Sequence, residues 1–153
     1  MVQPAQPGPV RRLTFEYDGD EIWLISEQHV RMIVPPSQPL ENADALAGFN
    51  VVLRDEQNRP VYRFARTSPI RHDAEVFSEP GTDESIQRVP VDHPKGAFVL
   101  LVPDVPGAKS LELVGHPPRA DAFREQPQRL ARFELKPFEG SDVWVRGTAT
   151  SLE

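Results

Sequence analysis

Arg63, Arg66 and Arg71 fall close together in the chain, and His72 follows directly. A guanidinium carries a planar fork of donors that grips carboxylates in pairs, so this run suits an acidic glycan or a partner's carboxylate. Asp73, Glu75 and Glu79 come next, and the alternative is a surface that neutralises itself. Trp23 is the other candidate. It breaks phase with Ile22 and Leu24, so its ring either faces outward, where it can stack on a sugar or anchor a partner, or enters a second buried layer. Trp144 stands to Val143 and Val145 in the same way.

Catalytic chemistry finds less to work with. The histidines are His29, His72, His93 and His116, and no two stand four residues apart, so the helical zinc signature is missing. His72 and His93, with Asp73 or Asp92, are the one set that loops could bring to a metal; loop histidines meeting solvent are the simpler reading. Asp18, Asp20 and Glu21 around Gly19 form an oxygen-rich turn without EF-hand spacing. Asp55, Glu56 and Asn58 have the composition of a hairpin tip. Neither a nucleophile elbow nor a glycine-rich phosphate loop is present. No residue is therefore assigned as catalytic, cofactor-binding or metal-ligating, and the binding candidates are Arg63, Arg66, Arg71, His72 and Trp23.

The elements that must position these residues are strands. Leu13, Phe15 and Tyr17 alternate, and Asp18-Gly19-Asp20 turns the chain. Glu21 to Ile25 and Gln28 to Val34 read as two strands, the second with Val30, Met32 and Val34 on one face. Phe49, Val51 and Leu53, a turn at 55–58, and then Val61, Tyr62 and Phe64 make a hairpin. Residues 66–85 read as a long loop with a weak edge strand around 74–77, and Ile86 to Val91 as a strand. A second hairpin is expected from Phe98, Leu100 and Val102 through a 103–109 turn to Leu111 and Leu113. Ala131, Phe133 and Leu135 form another strand, and Val143 with Val145 a last one. Helical turns are expected at 41–47 and 120–125.

That makes about eight or nine short strands with no βαβ alternation. The fold class is all-β, an antiparallel two-sheet β-sandwich of immunoglobulin-like architecture. Seventeen prolines among 153 residues agree, because helix interiors reject proline. Residues 1–10 read as a flexible Pro-rich lead-in, 11–150 as one domain, and 151–153 as a tail whose Leu-Glu resembles a cloning scar. A chain of this size can bury a real core. Its net charge of −6 disfavours nucleic acid and anionic lipid. Cysteine is absent, which removes disulfides and thiolate sites. The longest apolar run, 97–102, is far too short to span a membrane.

The stretch Phe49-Asn50-Val51-Val52-Leu53-Arg54-Asp55, with Pro60-Val61-Tyr62-Arg63-Phe64, resembles the non-catalytic N-terminal β-sandwich domain of IgA-peptidase-type zinc metallopeptidases. Residues 84–90 and His93-Pro94-Lys95 are similar to that domain's next strand and turn. The resemblance covers about a third of the chain and rests on hairpin chemistry that many proteins share. It implies an accessory domain whose catalytic partner lies elsewhere, and it carries over no catalytic residue. A generic bacterial immunoglobulin-like module is the other reading. The expectation is a non-enzymatic accessory or binding module of a bacterial, extracytoplasmic protein that contacts protein or glycan. Its rivals are a stand-alone enzyme with a loop-built His/acid site and a subunit that self-assembles through edge strands; a cytoplasmic location is the alternative.

Overall fold

The computed structural model describes residues 6–41, 48–71, 73–76, 87–90, 94–116, 127–136 and 147–148. Its strands are β1 (Gly8–Asp18), β2 (Glu21–Met32), β3 (Phe49–Asp55), β4 (Pro60–Arg66), β5 (Asp73–Val76), β6 (Gln87–Pro90), β7 (Lys95–Pro103), β8 (Ala108–Gly115), β9 (Gln128–Glu134) and β10 (Gly147–Thr148). One sheet runs β10-β2-β1-β7 and the other β4-β3-β8-β9, while β5 and β6 pair as a separate ribbon. All pairings are antiparallel. The protein is an all-β sandwich, as the alternating patterns predict.

Alternation fills the interior. Leu13, Phe15 and Tyr17 of β1 and Phe98, Leu100 and Val102 of β7 meet Phe49, Val51 and Leu53 of β3 and Leu111 and Leu113 of β8 in one buried cluster. Aromatic rings join the layers. Phe15 stacks on Phe98 at 5.1 Å within its sheet and meets Phe133 of the other sheet at 5.2 Å, and Phe49 stands edge-on to Phe98 at 6.3 Å.

The strand reading changes in three places. Glu21 to Met32 is one strand, with a register shift opposite Thr14/Phe15, where Thr14 pairs with Ser26 but Phe15 with Leu24. The extra residue, Ile25, reverses the phase of everything after it. Glu27 and His29 thus oppose Leu13 and Arg11, and Val30 opposes Val10 on the outer face.

The expected hairpin from Phe98 to Leu113 is not a hairpin. β7 pairs with β1, whereas β8 lies in the other sheet between β3 and β9. The connection is an arch. Ala108 N–H donates to Val105 O at 3.1 Å across Pro106-Gly107, and Gly107 has φ 87°, the arrangement of a type II turn. Asp104 N–H is meanwhile held by Pro9 O at 2.9 Å, and Leu135 N–H donates to Lys109 O at 2.8 Å. Each side of the arch is tied to its own sheet. Alternation could not show this, because a hairpin and an arch send the same residues inward.

The third change concerns the outer face of the β4-β3-β8-β9 sheet. Asn50, Val52, Arg54, Ser110, Glu112 and Val114 alternate with the core residues, so a two-layer sandwich would leave them in water. All six are buried. The stretch that follows β2 covers part of this side. Tyr62 Oη donates to Pro35 O at 3.0 Å, Arg63 N–H donates to Ser37 Oγ at 3.1 Å, and Gln38 N–H donates to Arg63 O at 2.8 Å. The last two bonds take up outward-facing backbone groups of edge strand β4.

β1 begins at Gly8, inside the stretch read as a lead-in. The strand expected near 74–77 exists as β5 and pairs with β6. The helical turns expected at 41–47 and 120–125 and the strand at Val143 and Val145 lie outside the described residues.

Candidate functional site

Arg63 and Arg66 stand three apart on β4, so the period of two sends them to opposite faces. Arg63 faces outward beside Val52 and is buried. Its Nε donates to Pro39 O at 2.8 Å and its Nη1 to Asn50 Oδ1 at 3.0 Å. The first contact holds the covering segment onto the sheet, and the second ties β4 to β3 within it. Arg66 is exposed at the end of β4, and its Nη1 reaches Val99 O on edge strand β7 at 3.4 Å. Arg71 is also exposed, and its backbone N–H donates to Tyr17 Oη at 3.3 Å. These three do not form one cluster. His72 lies outside the described residues, as do His93 and Trp144.

Trp23 sits in β2, opposite Glu16 of β1, and Glu16 in turn opposes Ala97 of β7. This row lies on the outer face, and the indole is part-buried. The next row carries Asp18 against Lys95, whose Nζ is 3.3 Å from Asp18 Oδ2. The small residues Gly96 and Ala97 leave the β7 side of the surface low. The result is an open depression of about 500 Å³ lined by Glu16, Tyr17, Asp18, Trp23, Lys95, Gly96 and Ala97. Its size falls in the range of small-ligand clefts.

The end of this depression is fixed from two sides. Gly19 N–H donates to Pro94 O at 2.8 Å, which ties the β1–β2 turn to the start of β7. The Tyr17 ring crosses Gly96, and a Cβ there would come within 2.7 Å of Tyr17 Oη. Only glycine lets the ring lie so close to the strand. Glu16, Lys95 and Ala97 were not candidates from the sequence; only the pairing of β7 with β1 brings them to Trp23.

A second set of charges lies on the outer face of the other sheet. Arg54 Nε is 3.3 Å from Glu112 Oε2, Arg54 Nη1 donates to Asn58 O at 3.1 Å, and Arg129 Nη1 is 3.3 Å from Glu112 Oε2. A cavity of about 230 Å³ adjoins them, lined by Arg54, Asn58, Glu112, Val114, Gln128 and Arg129. Arg54 and Glu112 are 58 positions apart in sequence, and no local signal joins them.

A third set closes one end of the interior. Arg11 pairs with Glu27, its Nε is 3.2 Å from Asp104 Oδ1, and its Nη1 donates to Lys136 O at 2.9 Å. Among the described residues no group of three His, Asp or Glu side chains is placed to hold a metal ion, and no helix is long and apolar enough to cross a membrane.

No protein-family model, curated protein or solved structure matches this chain.

Proposed function

We propose that this domain is a non-catalytic binding module that takes a glycan on the open face at Trp23. One observation carries the reading: a part-exposed indole beside two carboxylates and an ammonium in a depression of about 500 Å³. A sugar ring has apolar C–H faces and a rim of hydroxyls. The indole offers a flat surface for the first, and Glu16, Asp18 and Lys95 offer acceptors and donors for the second. The strands beneath are held by the Tyr17–Gly96 packing and the Gly19–Pro94 bond, so the surface is preformed and little ordering opposes binding. The mixed charge of the lining suits a neutral sugar better than a strongly charged one.

Such a module serves an extracytoplasmic bacterial protein that meets polysaccharide at or beyond the cell envelope. The test is a glycan panel read by tryptophan fluorescence, comparing the chain with W23A and repeating both in a W144F background. Saturable quenching or a blue shift with one class of oligosaccharide, lost in W23A, is expected. Equal responses from the chain and W23A across the panel would sink the proposal. Fractionation of the source cells, probed with antibody to this domain, checks the location separately.

A further inference from the structure

β7 stands at the edge of its sheet and lacks the usual protection of an edge. Natural edge strands are blunted by a charge, a proline or a bulge, because their unpaired N–H and C=O groups template another strand. β7 has none of these along its length. No charged residue or proline stands between Lys95 and Pro103, and its pairing with β1 runs from Asp18–Lys95 to Val10–Pro103 without a register shift. Edge strand β4, by contrast, has backbone groups taken up by Ser37 and Gln38.

The β1–β2 turn fixes which way the β7 backbone points. Asp18 and Glu21 flank a two-residue loop and so face each other as a hydrogen-bonded pair. Alternation along β1 then turns Phe15 and Tyr17 towards β7, and their partners Phe98 and Gly96 towards β1. Ala97, Val99 and Leu101 are left with their N–H and C=O groups directed away from the sheet. Val99 O agrees, since it accepts from Arg66 Nη1 of β4 at 3.4 Å. Ala97 is exposed and Val99 is 37% exposed, so this edge meets solvent.

We infer that β7 pairs with β7 of a second copy of this chain, antiparallel and centred on Val99, which joins the two sheets edge to edge. The strand is its own complement. Val99 is the middle of its nine residues, so a two-fold axis there pairs the whole strand with itself. Ala97 then lies opposite Leu101 of the second copy, and each of these pairs exchanges both backbone bonds, as do the two Val99 residues. Val99 O has a second lone pair and need not release Arg66.

The side chains that meet on the outer face are Ala97, Val99 and Leu101, all apolar, so no charge opposes its own copy across the axis. Charge at the ends sets the direction. β7 opens on Lys95, and Asp104 follows its last residue. An antiparallel copy brings these unlike charges to the same end, whereas a parallel one would set Lys95 beside Lys95. A strand pair of this length buries little area, so the dimer is weak and forms at high concentration. The axis stands perpendicular to the sheet and puts both Trp23 depressions on one side of the dimer, whatever they bind.

The experiment is sedimentation velocity of the full chain between about 10 μM and 1 mM, with thiol cross-linking beside it. The mass should rise with concentration towards that of two chains. V99K sets an ammonium against its own copy at the axis and should weaken association at least about tenfold. Its amide NMR spectrum reports whether it is folded. R31Q, which removes an exposed arginine from β2, should associate as the parent does. The chain has no cysteine, so single substitutions read the register directly. In V99C the two Cα atoms would lie about 5.5 Å apart, within disulfide reach, and mild oxidation should link the dimer. A97C and L101C should each link poorly alone and well when mixed.

A monomer at every concentration would overturn the inference. So would folded V99K that associates as tightly as the parent, or A97C that links to itself as readily as V99C does. Failure of the glycan reading at Trp23 leaves all these readouts unchanged, because none of them uses a glycan.

Discussion

Asp55 shows how much a single side chain can do at a hairpin tip. The Arg59 backbone N–H, held at 2.8 Å, pulls the Asp55 carboxyl below its ordinary range, and the nearby Arg59 guanidinium adds to this against some desolvation. A depressed carboxylate favours the folded state above its unfolded pKa of about 3.9, and that contribution disappears as pH falls through the lower, folded value. Acid denaturation of the chain and of D55N should therefore converge: the advantage of Asp55, present near neutrality, vanishes in strong acid. Stability curves that stay parallel across that range would contradict this. Gly96 makes a second demand at this scale. In G96A the new Cβ would overlap the buried Tyr17 ring, and a loss of about 1–3 kcal/mol is expected in urea denaturation. The same variant should disturb the Trp23 depression, of which Tyr17 and Gly96 are part.

The β3–β4 hairpin is the element whose chemistry is most local. Asn58 N–H donates to Asp55 O at 3.0 Å, Asn58 takes φ 63°, and Asp55 N–H donates to Arg59 O at 2.9 Å. This is a type I turn followed by a left-handed residue and a bulge. Asparagine tolerates that conformation, and a residue with an ordinary Cβ costs about 1–2 kcal/mol there. N58A should thus lower the melting temperature while N58G holds or raises it; equal losses in both would mean that the Asn58 side chain, rather than its backbone, matters. β2 teaches a different lesson. One extra residue at the bulge puts Glu27 and His29 opposite Leu13 and Arg11, where unbroken pairing would have placed Ser26 and Gln28, and so brings a carboxylate to Arg11.

Among the described residues, buried ion pairs occur at two places. Arg11, Glu27 and Asp104 lie at one end of the interior, and Arg54, Glu112 and Arg129 on the outer face of one sheet. Removing one member of a buried pair leaves the other without compensation. R11A should then cost about 3–5 kcal/mol in chemical denaturation, whereas R11M/E27L should be close to neutral or more stable. A double variant as damaged as the single one would show that Arg11 acts chiefly through the Lys136 carbonyl and Asp104.

The sequence by itself determined the class of fold, the β3–β4 hairpin, the β1–β2 turn and most of the core. These follow from alternation and turn chemistry, which act over a few residues. It also pointed to Trp23, whose phase against Ile22 and Leu24 left two faces open. What it left undecided depends on contacts between distant segments. Whether β7 turns back beside β8 or arches across to the other sheet is invisible to a period of two. The same is true of the Arg63 side chain, whose place is set by Pro39 and Asn50, and of Arg54, Glu112 and Arg129, which share a site only because β3, β8 and β9 lie side by side. Tertiary structure decided these because burial and pairing are long-range: a polar residue on an alternating strand meets water or protein according to what the rest of the chain lays over it.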